Sequence, residues 1–378
     1  MKAKIATVQS LENVLGPGPV LSIYLNVDQS YAPNRLRGFE TVLNDQLRDI
    51  ESRLTSQAEL TEFRMSWEVA LRALREQQPG SGTMILFAQA DGRIHARQLE
   101  VPIETAVRWQ NHPYVQPILA AEDEFKPLLA VLSDHQRSRF FTSVLGHLTE
   151  HSEIENPYPS KHTKAAGKNR VKSQTVFNRK SDERLSHHLK SVAGTVEAIS
   201  QAQSIGRLIL MGNEDTSKEL YDLLPTGLRR QVVGFVPIPI QSGILELRDA
   251  IAKVGYRAER QAEIQKVDSL LQLAGPHSRG VAGIQETLDA LAGGRLRELV
   301  YSEGLILTGS RCGTCNVVFT DRAVCPVCQA SLNPVDDVVE FAIEGALRSG
   351  ATVEQVRGDA ANKLRNAGGI GGFLRYEL

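Results

Sequence analysis

The chain has 378 residues, long enough for two or three separate cores, and its 43 basic residues are balanced by 44 acidic ones for a net charge of -1. Near-neutrality excludes nucleic-acid affinity from overall charge and leaves only clustered charge to supply it. No apolar run approaches the roughly 20 residues of a membrane-spanning helix, and the start "MKAKIATVQSLENVL" lacks the apolar core of a signal peptide, so a soluble cytoplasmic protein is expected.

In chain order, "VLSIYLNVDQ" has strand composition, and "FETVLNDQLRDIESRL" repeats Phe39, Val42, Leu43, Leu47, Ile50 and Leu54 at helical spacing. "TMILFAQADGRIHARQLEV" reads as a hairpin turning at Asp91-Gly92. Prolines and weak periodicity in "IETAVRWQNHPYVQPILAAEDEFKP" place a domain boundary near Glu122. A second hairpin is expected in "PLLAVLSDHQRSRFFTSVLGHLTEHSEI". A basic loop, a helix from about Asp182 to Ala202, the strand "GRLILMG", a helix around "TSKELYDLL" and the strand "QVVGFVPIPI" follow it. Strands alternating with helices predict a mostly parallel layer. The remainder opens on the helical "ILELRDAIAKVGYRAERQAEIQKVDSLLQLA", passes through "AGIQETLDALAGG" and the strand "RELVYSEGLIL", and ends beyond a cysteine cluster in a glycine-rich tail. The expected fold is therefore α/β and α+β in three domains, 1–122, 123–241 and 242–378. The middle one carries the basic loop 156–181 and the last an inserted zinc ribbon at 309–333.

Two stretches carry chemistry. Between Asn156 and Ser181 the chain has seven cations, Lys161, Lys164, Lys168, Arg170, Lys172, Arg179 and Lys180, and no acidic residue. A solvated loop is one reading of such a run and RNA contact the other. The four cysteines all fall between Cys312 and Cys328, in two Cys-x-x-Cys pairs separated by nine residues. Each pair aims two thiolates at one tetrahedral ion about 2.3 Å away, and four soft sulfurs suit a closed, structural Zn2+ site. A rubredoxin-type iron centre, two disulfides and bare thiols are the alternatives. His187 and His188 are adjacent on a helix, point about 100° apart and read as surface or packing residues. Asp134 and His135 fit a turn as well as an acid/base pair. Neither "GGRLRE" nor "AGGIGG" has a phosphate-cradling pattern, so no nucleotide hydrolysis is expected.

The ending Gly368, Gly369, Ile370, Gly371, Gly372, Phe373, Leu374, Arg375, Tyr376 resembles the close of the C-terminal domain in archaeo-eukaryotic class 1 peptide-chain release factors and their Pelota relatives. The inserted ribbon is similar to that of archaeal members. "VFNRKSDERLSHHLKSVAG" resembles the segment after the catalytic loop of their middle domain, at Phe177, Arg179, Glu183, Val192 and Ala193. The resemblance runs from "LLAVLSDHQRSRFF" to the end, while "LSIYLNVD" followed by a helix is similar only to the divergent bacterial branch. No Asn-Ile-Lys-Ser run is present, so stop-codon reading is not implied.

In the family a Gly-Gly-Gln tripeptide in a basic loop hydrolyses peptidyl-tRNA. Counted back from Phe177 and Arg179, that tripeptide falls on Arg170, Val171 and Lys172, and all three differ; against the bacterial Gly-Gly-Trp-Ser-Gln form, Ser173 and Gln174 match. The resemblance thus implies a factor that binds stalled or idle ribosomes near the A site through rRNA or tRNA. No catalytic residue is then needed, and a translational GTPase is a possible partner of the last domain. A peptidyl-tRNA hydrolase acting through Gln174 in ribosome rescue, and a free RNA-binding or adaptor protein, are the alternatives.

Overall fold

The computed structural model describes residues 14–78, 80–156, 170–275, 278–320 and 322–376, and over 170–182 the backbone alone. Its first part contains β1 (Val20–Asn26), α1 (Gly38–Arg53), α2 (Gln57–Glu76), β2 (Thr83–Ala88), β3 (Ile94–Leu99), β4 (Ala106–Gln110) and α3 (Gln116–Glu124). The four strands form one sheet in the order β3-β2-β1-β4. Leu21, Ile23 and Leu25 alternate along β1 and pack on Phe39, Leu43 and Leu47 of α1 and on Phe63, Ala70 and Leu74 of α2. These helix positions recur every three to four residues, which is the spacing that gathers side chains on one face. Ser56 caps α2 by accepting the Glu59 N–H. The expected turn lies at Asp91-Gly92, with φ +91° at the glycine. β4 and α3 occupy the stretch read from the sequence as an irregular boundary.

The second part follows with β5 (Leu128–Ser133), β6 (Arg137–Val144), β7 (His147–Glu155), α4 (Arg170–Gln203), β8 (Leu208–Gly212), α5 (Glu214–Leu223), α6 (Thr226–Arg229) and β9 (Val232–Val236). The sheet order is β7-β6-β5-β8-β9. β5 and β9 run parallel to β8, whereas β6 and β7 are antiparallel additions, so the layer is mixed where a mostly parallel one was expected. The reason is the third strand of what read as a two-stranded hairpin. β7 has an almost wholly exposed, charged pattern, suited to an edge that must not recruit another strand. α4 also begins earlier than the expected Asp182. No proline or glycine lies between Arg170 and Ala193, and the Arg, Lys and Gln residues there are good helix formers, so the helix continues through half of the stretch read as a loop. On one face of the sheet α4 packs Leu189, Val192, Ala193 and Val196 against Leu129, Val131 and Phe140. The other face is covered by Leu247 and Ile251 of α7 (Ile244–Leu273).

Beyond α7 come β10 (Gly280–Ala282), α8 (Ile284–Ala292), β11 (Leu296–Ser302), the short strands β12 (Gly309–Cys312), β13 (Val318–Phe319) and β14 (Leu332–Val335), then α9 (Val338–Arg348), β15 (Thr352–Val356), α10 (Gly358–Arg365) and β16 (Ile370–Leu374). The main sheet is β10-β16-β11-β15, and the inserted ribbon is β13-β12-β14. The glycine-rich tail is structural: Gly368 and Gly369 turn the chain at φ +97° and +77°. A Cβ on Gly371 would come within 2.8 Å of the Val281 carbonyl oxygen, and one on Gly372 within 2.8 Å of the Glu298 carbonyl oxygen. By internal contacts the chain divides into two compact units, 1–98 with 102–124 and 259–378, and 99–101 with 125–258. Among the described residues no helix is long and apolar enough to cross a membrane.

Candidate functional site

The basic stretch is the first candidate. Lys161, Lys164 and Lys168 lie outside the described residues, as does "AAG" at 165–167. Arg170, Lys172, Gln174, Arg179 and Lys180 all stand on the N-terminal turns of α4. The three positions aligned with the hydrolytic tripeptide are therefore helical. The first turn of α4 holds no acidic residue, so cations gather at the positive end of the helix dipole. At 1.5 Å per residue, the 34 residues of α4 extend about 51 Å.

Where α4 meets the sheet, His188 is 2% exposed while His187 faces solvent. His188 Nε2 lies 3.0 Å from Ser138 Oγ, and Ser138 Oγ donates to or accepts from Ser133 Oγ at 2.8 Å. Burial lowers the His188 pKa, with Asp134 opposing, so the ring is neutral near pH 7. Both serines are buried and out of reach of a substrate. Asp134 accepts the backbone N–H groups of Gln136 and Arg137, each at 2.7 Å, as a turn residue does, and the His135 carbonyl accepts from Asn156. This cluster ties the helix to the sheet and offers no open nucleophile.

The ribbon brings all four cysteines together. Cys312 and Cys328 sulfurs are 3.4 Å apart, Cys315 and Cys325 3.4 Å, and Cys315 and Cys328 3.8 Å. A tetrahedral ion with bonds of about 2.3 Å sets sulfur–sulfur edges of about 3.8 Å, whereas a disulfide needs about 2.05 Å. All four are free thiols, so the two-disulfide alternative does not hold. Each knuckle closes alike: Asn316 N–H donates to the Cys312 carbonyl and Gln329 N–H to the Cys325 carbonyl, with Asn316 and Gln329 in the left-handed region at φ +59° and +62°. Backbone N–H groups at Cys315 and Thr314, against the pull of burial, draw the Cys312 thiol down to about 6, while burial pushes Cys315 up to about 12. The set can hold a metal ion.

One cluster was not legible in the sequence. Asp123, Glu259 and Glu354 place carboxylate oxygens within 4.8 Å of one another. Beside them Glu124 pairs with Arg260, and Arg357 Nη1 stands 2.7 Å from the same Glu124 oxygen. The residues come from three distant stretches, and only an unusual density of Glu and Arg in "GYRAERQAE" hints at it.

Residues 113–260, which include the segment after Phe177, match the family model for Bacterial archaeo-eukaryotic release factor family 10. No curated protein matches the chain. Among solved structures, the archaeal translation termination factor aRF1 is 16% identical over 98% of this chain and 96% of its own, with a TM-score of 0.27. Pelota of Archaeoglobus fulgidus is 12% identical over 98% and 92%, with a TM-score of 0.38. Dom34 of S. cerevisiae, a translation termination-like factor that interacts with Hbs1, is 12% identical over 76% and 74%, with a TM-score of 0.42.

Proposed function

We propose that this chain is a cytoplasmic translation factor that binds stalled or idle ribosomes in the A-site region through rRNA or tRNA, without hydrolysing peptidyl-tRNA. The observation that carries the reading is a coincidence of place: the acid-free basic stretch lies inside the segment that matches the release-factor family. Cations at the positive end of a helix dipole cost stability in the free protein, and RNA phosphates would relieve that cost while releasing counterions. Absence of hydrolysis is supported by Val171. Its β-branched side chain disfavours the positive-φ conformations open to a glycine, and in α4 its backbone is committed to helix. Hydrolysis through Gln174 would require those turns to unwind.

In this reading the division into three domains is functional. The first domain sits toward the decoding region, the middle one carries Lys161, Lys164, Lys168, Arg170, Lys172, Arg179 and Lys180 to RNA, and the last meets a translational GTPase. Cys312, Cys315, Cys325 and Cys328 hold one structural Zn2+, which would fix the ribbon and take no part in chemistry. Cosedimentation with ribosomes across a salt series tests the reading. Replacing Lys168, Arg170 and Lys172 together by alanine should weaken binding and lower the slope of log affinity against log salt by up to about 3. An unchanged slope would show the stretch to be solvated. Peptide release by the ribosome-bound protein that disappears in Gln174→Ala would establish the hydrolase instead.

A further inference from the structure

Residues 106–124 meet the C-terminal half of the same compact unit across a seam of buried carboxyls. Glu124 is 9% exposed, Glu259 0%, Glu263 1% and Glu354 5%. Glu263 faces Glu259 and Arg260 from its own helix α7, Glu124 from α3, and Arg357 from the connection between β15 and α10. Its Oε1 stands 2.9 Å from the Arg260 guanidinium, and its Oε2 accepts the Arg357 backbone N–H at 3.1 Å. Arg260 and Arg357 both spend their charge on Glu124, and Arg357 Nε also lies 3.0 Å from Glu303. Lys266, one turn on, pairs with Glu298 at 2.7 Å and with Glu354. Burial, together with the neighbouring Glu124 and Glu259 carboxyls, opposes ionisation of Glu263.

We propose that the carboxyl cluster around Glu263 is a proton-operated latch: with a proton on the cluster, α3 stays docked on residues 259–263 and 354–357, and loss of that proton loosens the dock. Burial raises Glu263 to about 7; Arg357 and Arg260 oppose, and Glu124 and Glu259 reinforce. An acid whose pKa is raised in the docked state binds more protons there than when released. Docking is therefore favoured in mild acid and weakens as pH rises from about 4.5 through about 7. The neighbouring contacts along the seam act in the same direction. Gln110 donates to Glu340 at 2.7 Å, and burial raises the Glu340 pKa. His112 pairs with Glu344 at 2.7 Å, and despite the opposing pull of burial that pairing raises its pKa, so its share too is lost as pH rises.

Hydrogen exchange of the full-length protein tests the latch, with rates corrected for the intrinsic effect of pH. Protection of residues 116–124 should fall about tenfold between pH 6 and pH 8, the change expected for release of one proton from a group titrating near 7. In Glu263→Gln, which keeps an acceptor for the Arg357 N–H and carries no charge, most of that fall should disappear, leaving the smaller share of Glu340 and His112. Protection that is flat with pH in the natural protein, or that falls as steeply in Glu263→Gln, would overturn the proposal. A flat profile in the natural protein overturns the proposal whether or not the variant folds. Protection restored at pH 8 by millimolar magnesium or calcium would also overturn it, in favour of a cation site among Asp123, Glu259 and Glu354.

Discussion

The ribbon and the middle sheet are held together by opposite means. The ribbon's own buried cluster contains little besides Cys312, Phe319 and Cys325, with partly buried neighbours packed around it. The middle sheet buries all of β5 and all of β8 between two apolar layers. A segment as short as the ribbon cannot bury enough surface to offset its chain entropy, so under the proposed Zn2+ site its order would come from coordination. The sheet needs no ligand, and its order comes from area removed from water.

That contrast can be broken most sharply at the sulfurs. Cys315→Ser should abolish metal binding, measured by elemental analysis, and remove exchange protection from 309–335. The unfolding of the 125–258 unit should stay within about 0.5 kcal/mol of the natural protein. Retained protection in the ribbon would show that it packs without metal. Next in size, Phe140→Ala should destabilise the middle sheet by about 3 to 5 kcal/mol in urea titrations, because Phe140 is fully buried between β6 and α4. Metal content should not change. The smallest effect sharpens the contrast from within the sheet. His188→Ala should cost about 1 to 2 kcal/mol by removing the Ser138 contact. It should also flatten the pH profile: a histidine whose pKa is lowered by burial contributes stability that is full above the unfolded value near 6.5 and is lost as pH falls below it. An unaltered decline in acid would assign that loss to other groups.

Local signals were the legible ones. Two Cys-x-x-Cys pairs specify their own geometry, and the Asp91-Gly92 hairpin and the β8–α5–β9 run needed nothing beyond neighbouring residues. Pro113 and Pro117 hid β4 and α3, since prolines at element edges look the same in sequence as prolines in loops. The charge run hid the first three turns of α4, because lysine and arginine suit a solvated helix as well as a loop. The Glu124, Glu263 and Arg357 network had no local sign beyond the density of Glu and Arg at 255–263; those residues meet only after the chain has returned twice to the same place. The basic stretch was found by composition, while its presentation on a helix was not.

The glycine tail bears on how such a chain changes over generations. At Gly371 and Gly372 even an alanine methyl would press on the main-chain oxygens of the strands on either side, atoms that no rotamer change can clear. Drift at those two positions is therefore barred by the sheet whatever the protein does. A chain that changed its task could exchange the residues at 170–172 freely and would still have to keep those two glycines, so they report on the scaffold and are silent about its present employment.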